Sequence, residues 1–281
     1  MPVIDPDLEA NYNIVAARGG LDDVMQRWSA ASAALREQAD ASLDCAYGSG
    51  ERERIDVFRC GANDAPLYVY LHGGYWQRGD KSLYSFIAAP FLNKGVDVAI
   101  IGYPLCPQVT MTDLVSHVRQ AIGWLYHNAR ALAVNPERIN LSGHSAGGHL
   151  TAMAVCCDWP DFDKTLPREL LKSAIPFSGL YDLAPLRQTS INNALQLTST
   201  EVSGLSPAWL QPATRIPLLT VVGGTETPEF FRQTDLLMEN WSDLLSSTER
   251  HVEPEVDHID LIDRLASPDS QLFQRIISWL R

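Results

Sequence analysis

The chain has 281 residues, 46% of them hydrophobic, with a formal net charge of -12. That hydrophobic share supports a sizeable packed core and excludes a disordered chain, which would combine low hydrophobicity with high net charge. The acidic balance argues against nucleic acid as a partner, and no apolar run is long enough to span a bilayer.

The amino-terminal stretch Met1-Pro2-Val3-Ile4-Asp5-Pro6 lacks the basic and apolar regions of a secretory signal. Cys45, Cys60, Cys106, Cys156 and Cys157 are odd in number and show neither a C-x-x-C pair nor a metal-ligand spacing with histidine. They read as free thiols in a reducing compartment, so a cytoplasmic protein is expected, without metal or other cofactor. Leu8 to Asn13 and Leu21 to Ala39 read as helices ahead of the sheet, a segment placed to cover a site. Leu43 to Tyr47 and Arg54 to Phe58 then form an antiparallel pair across Gly48-Ser49-Gly50.

From Leu67 onward strands and helices alternate without a linker. Strands are expected to begin at Leu67, Val96, Ile139, Ala174, Leu218 and Glu249. The crossover helices fall at Ser82 to Asn93, Met111 to Ala131, Ala146 to Val155, Pro228 to Leu245 and Leu272 to Leu280. The expected fold is therefore α/β: one domain over 1–281, with a mostly parallel central sheet, helices on both faces and a small cap insertion. The cap is expected at 179–217, where Pro185, Pro207 and Pro212 accompany weak periodicity.

Within this frame Gly143-His144-Ser145-Ala146-Gly147 has the G-x-S-x-G form of a nucleophile elbow, between a short buried strand and an apolar helix. Small neighbours allow the sharp turn, and Ser145 is the expected nucleophile. Upstream, His72-Gly73-Gly74-Tyr75-Trp76 follows an apolar strand. Its glycines let backbone N–H groups converge on a developing oxyanion, so Gly74, Tyr75 and Ala146 are the expected donors. His72 is expected to brace that loop rather than act as a base.

The α/β-hydrolase chain order of nucleophile, acid and base then requires an acid and a histidine on later strand-end loops. Glu226 follows the strand Ile216 to Val222, and His258 follows the strand around Thr248 to Glu253. His117 and His127 fall on a helix, His144 and His149 flank the elbow, and His251 lies inside a strand, which leaves His258 as the base. Glu229 is the fallback acid, although Pro228 before it suits a first helical turn, where a carboxylate offsets the helix dipole.

HGGYW at 72–76, GHSAGGHL at 143–150, SGLYDLAPL at 178–186, ETPEFFRQ at 226–233 and EVDHIDLIDRL at 255–265 together resemble the arylformamidase (kynurenine formamidase) branch of the α/β-hydrolases. The resemblance runs from about Pro66 to the carboxyl terminus, and Tyr75-Trp76 separates it from the H-G-G-G of lipase-like esterases. It implies a serine hydrolase acting on an N-formyl or N-acyl arylamine of the N-formylkynurenine kind. In that branch the acid is usually aspartate, so Glu226 is a departure. Tyr75, Trp76 and Tyr181 are expected to offer aromatic surface to the substrate ring, with core packing the alternative for Trp76 and Tyr181. The competing readings are a carboxylesterase for short acyl esters, which would use the same triad, and a non-catalytic receptor on the same fold. The partner is a small aryl amide or ester, not nucleic acid or membrane, and a homodimer is left open.

Overall fold

The computed structural model describes residues 4–280, so Met1, Pro2 and Val3 of the amino-terminal stretch and Arg281 lie outside the described residues. Three helices, α1 (Pro6–Tyr12), α2 (Ile14–Arg18) and α3 (Asp22–Gln38), precede the sheet. Asp5 starts the first, its carboxylate accepting from the amides of Asp7 and Leu8.

The eight strands are β1 (Ala41–Ala46), β2 (Arg54–Phe58), β3 (Leu67–Leu71), β4 (Asp97–Ile101), β5 (Ile139–His144), β6 (Leu171–Phe177), β7 (Pro217–Gly223) and β8 (Ser247–Glu253). They lie in the order β1-β2-β4-β3-β5-β6-β7-β8. The β1/β2 and β2/β4 pairs are antiparallel and every other pair is parallel. Because β3 and β5 are neighbours, the loops after Leu71 and His144 leave the sheet side by side, which sets the site.

Helices cover both faces, as two-sided burial of a parallel sheet demands. The connections supply α4 (Ala88–Leu92), α5 (Met111–Asn128), α6 (Ala146–Val155), α7 (Trp159–Phe162), α8 (Asn192–Leu195), α9 (Ser199–Gly204), α10 (Pro228–Trp241), α11 (Asp260–Leu265) and α12 (Gln271–Trp279). Strand residues alternate between two cores. Leu67, Val69 and Leu71 of β3 join α5, α6 and α10 on one face, whereas Tyr68 and Tyr70 join α3, α4, α11 and α12 on the other. The long α5 is fixed at its start by a Thr110/Asp113 capping box and buries Leu114, Val118, Ala121, Ile122 and Leu125 along one stripe.

Two expected elements are refined. The segment expected as a helix over Ser82 to Asn93 opens with a 3-10 helix over Lys81–Ile87 before α4, and the short helices α2, α7 and α11 were not among the expected elements. The stretch 179–217 does form a break in the alternation, built of short turns with α8 and α9. It packs beside α6 and α10: the Ala213 amide donates to Val155 O at 2.9 Å and the Trp241 indole donates to Pro207 O at 3.1 Å.

All of α6 is buried, including His149, whose Nε2 pairs with the Leu205 carbonyl at 2.7 Å. Burial lowers His149 to about 4, and likewise His72 to about 4, so both imidazoles are neutral in the fold. Unfolded, each would take a proton below about 6.5. Their contribution to stability is therefore complete above about pH 6.5 and is lost as pH falls toward about 4. We expect His149→Gln to flatten the loss of unfolding free energy by up to about 1.4 kcal/mol per pH unit over that window, measured by denaturant titration. An unchanged slope would show that His149 is not buried in the neutral form.

Candidate active site

β5 ends at His144 and α6 begins at Ala146, so Ser145 alone makes the bend, with φ 57° and ψ -117°. A non-glycine residue there costs on the order of 1–3 kcal/mol and persists only where its surroundings enforce it. Here the Ser145 amide donates to Phe177 O at 2.8 Å, and the Ser145 carbonyl accepts from the His149 amide at 3.1 Å. Two glycines permit the close approach. A Cβ on Gly147 would overlap the Leu71 carbonyl oxygen, and one on Gly143 would overlap the Gly147 carbonyl.

Across the parallel neighbour β3, the loop after Leu71 carries Gly74 at φ 117°, Tyr75 at 51° and Trp76 at 58°. The Gly74 carbonyl accepts from the Gln77 and Arg78 amides, each at 3.1 Å, closing a tight turn. His72 braces this loop: its Nδ1 lies 2.7 Å from Gly73 O, its ring stacks on Tyr103 at 4.3 Å, and Tyr103 Oη donates to His72 O at 2.6 Å.

His258 and Glu226 come from the loops after β8 and β7. His258 Nδ1 sits 2.6 Å from Glu226 Oε2, with the His258 and Glu226 side chains 5% and 0% exposed. The other carboxylate oxygen, Oε1, accepts from the Gly223 amide at 2.7 Å and from the Ser178 hydroxyl. These bonds hold the carboxylate and favour the tautomer with a proton on Nδ1, leaving Nε2 as acceptor. Nε2 is buried and makes no hydrogen bond among the described residues. His144 and Phe230 both pack against the His258 ring, at 4.4 Å and 4.3 Å between ring centres. Burial, reinforced by the proximity of His258, pushes His144 well below the ordinary histidine range, so it adds no competing positive charge beside His258.

Ser145, His258, Gly73, Gly74 and Tyr75 line one cavity of about 250 Å³. Its roof is apolar and comes from the amino-terminal helices: Ile14, Val15, Leu21, Met25 and Trp28. Arg18 ties that roof to the His258 loop by pairing with Asp257 and, at 2.7 Å, with Asp260. Trp28 does the same through its indole, 2.6 Å from Asp263.

Several expected positions fall elsewhere. None of 179–217 lines the cavity, whose roof comes from the amino-terminal segment that was also expected to cover a site. Trp76 is wholly buried and sets the edge of its ring against His149 at 5.0 Å, a core contact. Tyr181 is equally buried and accepts at its hydroxyl from the Gly179 amide at 3.2 Å. Neither ring lines the cavity, and both belong to the core on the α6 side of the sheet. Tyr75 does line it, although its hydroxyl is spent on the Tyr12 carbonyl. Glu229 sits away from His258, accepting from Tyr12 Oη at 2.5 Å and Arg232 Nε at 3.0 Å. Burial pushes Glu229 up, but Arg232 and Tyr12 outweigh it and the carboxyl lies below its ordinary value. Ser178 opens the SGLYDLAPL stretch at 178–186, but its contact with Glu226 was not expected, since no spacing rule reports a single hydroxyl after a strand.

The family model described as BD-FAE matches residues 56–212. The kynurenine formamidase of Salmo salar is 33% identical over 257 residues, spanning 87% of this chain and 84% of that protein. That of Danio rerio is 30% identical, spanning 98% of this chain and 96% of its own. A crystal structure from a Silicibacter species, described provisionally as a thioesterase, superposes with a TM-score of 0.82 at 32% identity, covering 98% of this chain and 97% of that one. With the Ser145 bend, the eight-stranded sheet and these relatives in agreement, the chain is a hydrolase that belongs to the kynurenine formamidase-like family of α/β-hydrolases.

Proposed function

We propose that this protein is a serine hydrolase that cleaves N-formyl or N-acyl arylamines of the N-formylkynurenine kind through an acyl-enzyme. The reading rests above all on one observation: a serine held at positive φ opens on the same cavity as a histidine whose far nitrogen is 2.6 Å from a buried carboxylate. In it, Ser145 Oγ attacks the carbonyl carbon while His258 Nε2 takes its proton. Glu226 orients the imidazole and stabilises the imidazolium. The amides of Gly74, Tyr75 and Ala146 receive the oxyanion, two from the positive-φ turn and one from the amino-terminal end of α6. The C–N bond then breaks, the imidazolium protonates the leaving amine, and water activated by the same histidine releases formate or another acid. The open Ser145–His258 geometry suits this role, since such bonds often tighten only with substrate in place.

The kynurenine formamidase relatives support the formamide substrate. The apolar roof favours a second reading, a carboxylesterase for short acyl esters, which the same groups would serve. Formanilide and 4-nitrophenyl butyrate, assayed side by side, distinguish them. The amidase reading expects turnover of both, and hydrolysis of the ester alone would move the assignment to an esterase. The free state of all five cysteines supports a cytoplasmic protein.

Phenylmethylsulfonyl fluoride should modify one serine, and peptide mapping should find it at Ser145; modification of another serine would overturn the nucleophile. His258→Ala should lower kcat by about 10³-fold or more, the scale for removing a triad base. Near-normal turnover by folded His258→Ala would sink the triad.

Glu226 and Glu229 separate by property. Glu226→Gln keeps the shape but removes the charge opposite the imidazolium, with kcat expected to fall by roughly 10²- to 10⁴-fold. Glu229→Gln weakens the Tyr12 contact that joins α1 to α10 and the Arg232 pair within α10, so the melting temperature should fall while kcat changes little. A catalytic loss confined to Glu229→Gln would move the acid.

A further inference from the structure

The cavity over Ser145 is lined by apolar side chains, backbone, two buried histidines and a single permanent charge, Arg78. No aspartate or glutamate lines it. Several arginines elsewhere in this chain of net charge -12 are matched by carboxylates, Arg36 by Asp56, Arg59 by Asp40 and Arg232 by Glu229, while others such as Arg54 and Arg119 donate to backbone carbonyls. Arg78 does neither. Its side chain takes part in no ion pair or hydrogen bond among the described residues, and the nearby Asp80 is engaged by Arg52 and Ser82.

Its placement is fixed by the backbone. The Arg78 amide donates to Gly74 O at 3.1 Å, and a Cβ on Gly74 would overlap the Arg78 carbonyl. Gly79 follows at φ 96°, where a Cβ would come within 2.8 Å of His72 Nδ1. The turn that presents Gly74 and Tyr75 to the cavity therefore also sets where the exposed Arg78 leaves the backbone, and Arg78 lines the same space.

We propose that Arg78 is a specificity-determining residue that pairs with a carboxylate on the leaving-group side of the substrate, so that the preferred substrates are anionic aryl amides. This rests on the serine-hydrolase reading of the cavity. A formyl group carries no substituent, so whatever reaches Arg78 belongs to the arylamine portion. Guanidinium matches a carboxylate in planar, two-point fashion. Long-range attraction cannot supply this preference in an acidic protein, because exposed charges are screened over about 8 Å at physiological salt; a local partner must. With no acid in the lining, an ammonium on the substrate would find no matching charge there.

The test compares 2-formamidobenzoate with formanilide in the wild-type protein, Arg78→Gln and Arg78→Lys. The wild type should favour the anionic compound through KM, and Arg78→Gln should reduce that KM preference by about tenfold or more, the scale of a charge-assisted hydrogen bond. Arg78→Lys should restore part of it. A KM ratio that is the same in wild type and Arg78→Gln would overturn the assignment. Protection of Ser145 from phenylmethylsulfonyl fluoride by 2-aminobenzoate and by aniline, in the same proteins, keeps the two readings apart. If neither formamide is hydrolysed, the formamidase reading fails, while protection by the carboxylate that depends on Arg78 sustains this proposal and equal protection in Arg78→Gln removes it.

Discussion

Everything at this site depends on one backbone constraint, the passage from β5 to α6 through a single residue at positive φ. The bend works only because Gly147 lets the helix start against the Leu71 carbonyl, and because the Ser145 amide is anchored on Phe177 of the next strand. Local strain is thus offset by a parallel sheet whose register is fixed on both sides of β5. The same register brings the Gly74 turn alongside and places the loops after β7 and β8 within reach. The gathering of Ser145, the Gly74 turn and the His258 imidazole on one cavity is a consequence of strand order more than of any one motif.

The groups around His258 form a graded environment. Glu226 is held by two contacts and faces one nitrogen, His144 is kept neutral by burial, and Phe230 packs on the ring. An imidazole that gains a proton there meets a negative partner and no second cation. His72 and His149 are neutral for the same physical reason but serve the scaffold, one bracing the Gly74 turn and the other tying α6 to the Leu205 carbonyl. Four buried histidines therefore divide into distinct tasks by their partners, not by their depth.

Much of this was legible in the sequence, because the informative features are local. Alternation and apolar runs marked the strands, G-x-S-x-G marked a bend that needs small residues, and chain order selected Glu226 and His258, which the fold brings together. What escaped was nonlocal. Proline-rich, weakly periodic 179–217 looked like a cap, yet nothing in its residues says on which side of α6 it lies. Trp76 and Tyr181 were read by their chemistry, whereas the core that each ring joins is revealed only by the fold. Ser178 acts through a single hydroxyl, which no spacing rule detects.

The roof of the cavity has a consequence for how the protein comes into being. Ile14 to Trp28 are made first, yet Arg18 finds Asp257 and Asp260 some 240 residues later, and Trp28 finds Asp263. Contacts of such separation close late, after the loop between them has been ordered. On the ribosome the sheet as far as β7 can assemble while His258 is still unmade, and α3 can already pack Trp28 on Tyr84 and Phe86, but the roof cannot yet be tied to the His258 loop. The cavity over Ser145 is thus completed only after the last strand-end loop has been made, so its roof is among the first segments synthesised and among the last to be fastened.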